Sequence, residues 1–128
     1  MTAYNELQQI FVQWNATDRP YPSEKCIHHL IAEQAARTPD AVAVSSGHHQ
    51  LSYRELDHQA NQLASYLRRL GVCPETLVGV MMARSAQMVV GLLGILKAGG
   101  GYVPLDAQYP VARLRMMVED AGVRVVLT

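Results

Sequence analysis

A chain of 128 residues, 49% hydrophobic and 6% aromatic, has material for one modest domain with its own core and too little for two. That apolar share excludes a disordered chain. Eleven Lys and Arg against eleven Asp and Glu leave no net charge, which removes any general attraction to nucleic acid or an acidic membrane surface. Cys26 and Cys73 lie far apart without CxxC spacing, so reduced thiols filling small apolar positions are expected rather than a disulfide. The opening MTAYNELQQIFVQW lacks a basic start and an unbroken apolar run, so no secretory signal is expected. The apolar window from Met88 to Leu96 is far shorter than the roughly 20 residues a bilayer requires. A cytoplasmic location is the expectation.

Residues Glu6 to Trp14 are weakly helical, with Leu7, Ile10, Phe11 and Trp14 spaced to share one face. NATDRPYPSEK follows and reads as an extended linker, placing a boundary near Tyr21 to Ser23: residues 1–22 linker-like, residues 23–128 folded. Ser23 is the expected N-cap of a helix whose Ile27, Leu30, Ile31 and Ala35 form a buried stripe. Thr38-Pro39-Asp40 ends it, because the residue before proline is pushed out of helical geometry. AVAVSS predicts a strand, Gly47-His48-His49 a turn, and Gln50-Leu51 a short second strand.

Ser52 and Glu55 form a capping box for a helix carrying Leu56, Ala60, Leu63, Leu67 and Leu70 on one face, with Gly71 as its stop. Arg68-Arg69 is expected to solvate the end of that helix. From there the pattern alternates. TLVGVMM is the continuous apolar run of a strand covered on both faces, and Ser85 to Ala98 is a helix apolar almost all round. YVPL is a short strand, and Pro110 suits the first turn of a helix turning Leu114, Met117, Val118 and Ala121 inward. The last strand runs from Arg124 to Leu127. Two crossover units predict an α/β fold: a partial doubly wound, mainly parallel sheet with flanking helices and right-handed connections. RVVLT suits the interior of a sheet, so the sequence is expected to be a piece of a larger domain, with an uncovered Val123 to Leu127 edge that limits solubility.

Candidate chemistry is sparse. In LKAGGGYVPLD, Lys97 precedes Gly99, Gly100 and Gly101, and no Lys-Ser or Lys-Thr follows them, unlike a phosphate loop. Phosphate loops also run from strand to helix, whereas this stretch runs from helix to strand, so Gly99 is expected to end a helix. His28-His29 and His48-His49 are adjacent pairs whose members point apart on regular backbone, and no His-x3-His spacing accompanies them; surface histidines are expected. Glu119 and Asp120, neighbours on a helix, do not face each other. Ser45, Ser46, Ser52 and Ser85 have cap or turn roles, without a GxSxG elbow. Asp106 follows a strand end, where open α/β sheets bind ligands, and would equally cap the turn toward Pro110. No catalytic, cofactor-binding or metal-binding residue is assigned from spacing.

LSYREL (Leu51 to Leu56) resembles the first core motif of the adenylation domains of nonribosomal peptide synthetases, and LKAGGGYVPLD (Leu96 to Asp106) resembles the second. The flanking AEQAARTPDAVAV, RSAQMVVGLLGILKAG and YPVARLRMMVEDAGVRVVLT agree, so the resemblance covers about Ser23 to Thr128. The run from Leu7 through WNATDRPYP is similar to the linker between a condensation and an adenylation domain. Gly101 stands where the family usually has alanine, and Ala107 where proline often follows the aspartate.

The resemblance implies a parent that activates an amino acid with ATP and Mg²⁺ as aminoacyl-AMP and passes it to the phosphopantetheine thiol of a carrier domain. The family's phosphate loop, substrate pocket and catalytic lysine fall downstream of the second motif, so none is carried over to a residue here. The chain is expected to be structural and inactive alone, partnered by the rest of the adenylation domain and by condensation and carrier domains. Two alternatives stand beside it: an autonomous flavodoxin-like module holding a nucleotide at its strand ends, and a docking role for Leu7 to Pro22 through Trp14 and Tyr21.

Overall fold

The computed structural model of the chain describes residues 6–128. Near its start lies a π-helical segment, Gln9–Gln13, with no buried residue. Leu7, Ile10, Phe11 and Trp14 are all exposed, so the shared apolar face expected from their spacing meets no core among the described residues. No residue of 6–26 is buried, and the folded body begins with the first α-helix.

That helix, α1 (Ile27–Arg37), starts later than Ser23 would set it. The backbone spends 21–25 on turns, with the Ser23 N–H donating to the Tyr21 carbonyl at 2.8 Å and the Lys25 N–H to the Pro22 carbonyl at 3.2 Å. Cys26 becomes the N-cap, in extended geometry and without a side-chain cap bond. The expected stripe is buried only at Ala35; Ile27 is exposed, while the half-buried Ile31 packs against the cluster of Leu56, Ala60, Val90 and Leu93.

β1 (Val42–Ser46) and β2 (His49–Ser52) form an antiparallel hairpin, with Ser46 opposite His49 and a bulge between Val42 and Val44. Ser52 then caps α2 (Tyr53–Arg69) through the full capping box: its hydroxyl accepts the Glu55 N–H at 3.3 Å, and its own N–H donates to the Glu55 carboxylate at 2.8 Å. Leu70 was expected inside but sits exposed at the C-cap. Gly71, at φ +90°, reverses the backbone, so Val72 takes the buried place and donates its N–H to the Leu67 carbonyl at 3.0 Å.

The second sheet is parallel, in the order β4-β3-β5, built from β3 (Leu77–Val80), β4 (Gly101–Pro104) and β5 (Val125–Leu127). α3 (Ala86–Ala98) links β3 to β4, and α4 (Val111–Asp120) links β4 to β5. The main core lies where α2 and α3 cover one face of β3: Ala64 and Leu67, Ile95 and Ala98, Val72, Val78 and Val80. A second cluster, Leu56, Ala60, Val90 and Leu93, seats the hairpin through Ala43, Val44 and Leu51. α2 and α3 pack closely because Gly94 has no Cβ; one placed there would stand 2.6 Å from Leu63 Cδ2.

α4 differs. Pro110 is its N-cap rather than its first helical residue, and Leu114, Met117, Val118 and Ala121 reach only half burial. α4 contributes no residue to either core cluster. The route from β4 back across β3 to β5 runs opposite to the route from β3 to β4, so the right-handed rule assigns α4 to the other face of the sheet.

Candidate functional site

Strand order decides where a ligand would sit. The chain leaves β3 toward one face and β4 toward the other, so their carboxyl ends form a topological switch point, the place where open α/β sheets bind ligands. A crevice of about 610 Å³ opens there, between Met81 to Arg84 after β3 and Leu105 to Gln108 after β4. Its floor is apolar, from Met82, Met88, Leu92 and Pro104, with Tyr102 alongside. Arg84, Asp106 and Gln108 are its polar rim. Such a cleft suits an apolar body with a polar end.

Asp106 lines this crevice and also performs the turn role, because its Oδ1 accepts the Gln108 N–H at 2.9 Å while its carbonyl accepts that of Tyr109 at 3.0 Å. Ser85 is likewise occupied: its hydroxyl accepts the Met88 N–H at 3.2 Å and donates to the Ala83 carbonyl at 3.1 Å. With that hydroxyl spent on capping α3, the crevice rim pairs no nucleophile with a base among the described residues.

The glycine run lies at the opposite end of β4. Gly99 ends α3 at φ +96°, and the Gly100 N–H reaches back to the Ile95 carbonyl at 3.1 Å. Gly100 is buried where a Cβ would stand 3.0 Å from the Thr76 carbonyl oxygen and 2.9 Å from Val72 Cγ1. Gly101 starts β4 and donates its N–H to the same Thr76 oxygen at 2.9 Å. The amides therefore face backbone, which is a strand-start geometry rather than an anion cradle.

Lys97 is committed to packing as well. Its ammonium, on a side chain only 10% exposed, donates to Asp57 Oδ1 at 2.6 Å and to Asn61 Oδ1 at 2.8 Å, while Arg68 donates to the Lys97 carbonyl at 2.6 Å. This network ties α3 to α2 at a distance of 40 residues in sequence, and spacing rules, which see one element at a time, carry no signal for it.

The histidines divide. His48, His49 and His58 are exposed. His28 and His29, expected to point apart, instead hold their ring centroids 4.3 Å from each other. Partial burial, then the neighbouring charges of His29 and Lys97, holds His28 below the ordinary imidazole value of 6.5. Both cysteines are free and exposed, so neither is the apolar filler expected. Glu119 and Asp120 are exposed at the end of α4. No described helix is long and apolar enough to cross a membrane.

Against known proteins, residues 31–128 match the family model described as AMP-binding enzyme. Gramicidin S synthase 2 of Brevibacillus brevis is 47% identical over 128 residues, which is all of this chain and 3% of that protein. A crystal structure of the nonribosomal peptide synthetase FmoA3, in an AMPPNP-bound form, is 37% identical and superposes with a TM-score of 0.84 over 97% of this chain and 13% of its own. The N-terminal subdomain of Klebsiella oxytoca NpsA, solved with anthranilyl-AMSN, is 26% identical with a TM-score of 0.74 over 80% of this chain and 27% of its own. The chain thus spans a few per cent of the length of the curated relatives it matches. With well over half of its residues inside the one family model, and with the capping box and the LKAGGGYVPLD turn both in place, the chain belongs to the AMP-binding enzyme family and corresponds to part of an adenylation domain of nonribosomal peptide synthetases.

Proposed function

We propose that the chain is the opening α/β layer of an amino-acid-activating adenylation domain, with residues 1–22 as linker and residues 23–128 as the first part of the domain. The parent uses ATP and Mg²⁺ to form aminoacyl-AMP and transfers the aminoacyl group to the phosphopantetheine thiol of a carrier domain. In this reading the chain itself supplies no catalytic and no nucleotide-binding residue. Its partners are the remainder of the adenylation domain and the neighbouring condensation and carrier domains.

The observation carrying this reading is the use made of its motif residues. Lys97 is bonded to Asp57 and Asn61, Gly99 to Gly101 are spent on a helix stop and a strand start, and Ser52 and Ser85 cap helices. Similarity to synthetases over the whole chain supports the parentage. Amino-acid-dependent ATP–pyrophosphate exchange tests it: the purified chain is expected to show none, and exchange above the enzyme-free background would overturn its silence.

The crevice beyond β3 and β4 favours a second reading, in which the chain binds a nucleotide at its strand ends unaided. Saturable ATP binding by calorimetry, abolished by Asp106→Ala and Arg84→Ala together, would favour it over a purely structural role. Phe11, Trp14 and Tyr21, exposed at 68%, 66% and 78%, support a docking role for the linker. Substituting Trp14 and Tyr21 by alanine is then expected to weaken binding to an adjoining condensation domain, and unchanged affinity would remove that role.

A further inference from the structure

His28 and His29 open α1 directly behind Cys26, its N-cap residue. Consecutive helical residues project about 100° apart, yet these two imidazoles lie with their centroids 4.3 Å apart and their planes tilted by 57°. The thiol joins them, because one donor atom from each of Cys26, His28 and His29 lies within 4.8 Å of the other two. Cys26 makes no side-chain cap bond; the N–H groups of His29 and Leu30 go to its carbonyl oxygen, at 3.0 and 3.3 Å. Its sulfur is exposed and in no disulfide.

We propose that Cys26, His28 and His29 form a site for a borderline-soft divalent cation of the zinc class. One sulfur and two nitrogens are the donor set that zinc, cobalt and nickel prefer, and the hard cations magnesium and calcium do not. Three protein ligands leave the fourth tetrahedral position to water. Donors bound to zinc stand roughly 3.3–3.6 Å apart, given bond lengths of about 2.0–2.3 Å. The separation of up to 4.8 Å therefore closes by about an ångström, and the exposed side chains of Cys26 and His29 can turn that far without touching either core cluster.

Two charges oppose the cation: the positive end of the α1 dipole and the Lys97 ammonium that acts on His28. Cys26 would bind as the thiolate, its proton displaced by the cation, and that charge offsets the first. With three protein ligands and these opposing charges, the site is weaker than a closed four-ligand zinc site. Chelation across 26–29 would clamp the first turn of α1, which has no side-chain cap of its own.

Cobalt(II) is the probe, since a thiolate ligand produces a charge-transfer band in the near ultraviolet. Titrating the chain is expected to give that band at one equivalent. Cys26→Ser abolishes it, His28→Ala and His29→Ala each weaken binding at least about tenfold, and Cys73→Ser leaves it unchanged. Absence of the band at millimolar cobalt, its survival in Cys26→Ser, or its loss in Cys73→Ser overturns the site. Alkylation of the unaltered chain, read by mass spectrometry, needs no variant to fold: zinc is expected to slow labelling of Cys26 and spare that of Cys73. Equal protection of both thiols, or of neither, also overturns it.

Discussion

The two faces of the parallel sheet are built to different standards. On the face under α2 and α3, alternate β3 residues Val78 and Val80 lie against Leu67 and Ile95, and Leu67, Ile95 and Val78 are fully buried. On the opposite face Gly79 has no side chain, Val126 stays exposed, only Leu105 and Val123 are buried beside them, and α4 buries nothing completely. The lesson is one of helix composition. α3 is apolar almost all round and fills the space between a sheet and a second helix, whereas α4 offers one narrow stripe to a surface with few partners. Stability should therefore concentrate on the first face, and each substitution below breaks or sharpens that contrast, read as the shift in urea midpoint and slope.

Leu67→Ala should cost most, about 3 kcal/mol, because it opens a cavity among Val72, Val78 and Ile95. Gly94→Ala comes next, at about 2 kcal/mol, by pressing a methyl group into Leu63 and forcing α2 from α3. A Leu63→Ala partner substitution should recover part of that loss, whereas a purely local effect of Gly94 on helix propensity would show no recovery. Ser52→Ala removes the α2 cap and should cost about 1 kcal/mol. Met117→Ala, on the half-covered face, should cost less than about 1 kcal/mol. A loss at Met117 equal to that at Leu67 would erase the contrast between the faces.

The capping box also sets an acid limb. Bonds from the Ser52 backbone N–H, then from its hydroxyl, hold the Glu55 carboxyl below its ordinary value of 4.5. A depressed folded value means that the contribution is fully present above about pH 4.5 and is lost as pH falls through the lower, folded value. Glu55→Gln should lose that contribution at neutral pH and so flatten stability against pH across the acid window. A Gln variant as acid-sensitive as the parent chain would move the limb to other carboxylates.

Much of this was legible residue by residue. The box at Ser52 and Glu55, the stops at Gly71 and Gly99, the cap at Ser85 and the alternation from Leu77 onward all appear in the structure, because each rests on bonds within a few residues. Errors gathered where a short-range rule had a competitor. Ser23 lost α1 to a turn around Pro22, Leu70 lost its inward place to Val72 once Gly71 reversed the chain, and Cys26 and Cys73 lie at the surface. The spacing of Leu7, Ile10, Phe11 and Trp14 described an apolar face without saying what would cover it.

The sequence by itself determined the elements from β1 onward, the caps at Ser52 and Ser85 and the family motifs, since hydrogen bonding within a turn and apolar periodicity are local properties. Tertiary structure alone decided three further things: the strand order β4-β3-β5 that opens the crevice, the Lys97 bonds to Asp57 and Asn61, and the meeting of Cys26, His28 and His29. The first two join residues far apart in sequence. The third depends on side-chain rotamers at the start of α1, and neither kind of information is carried by spacing.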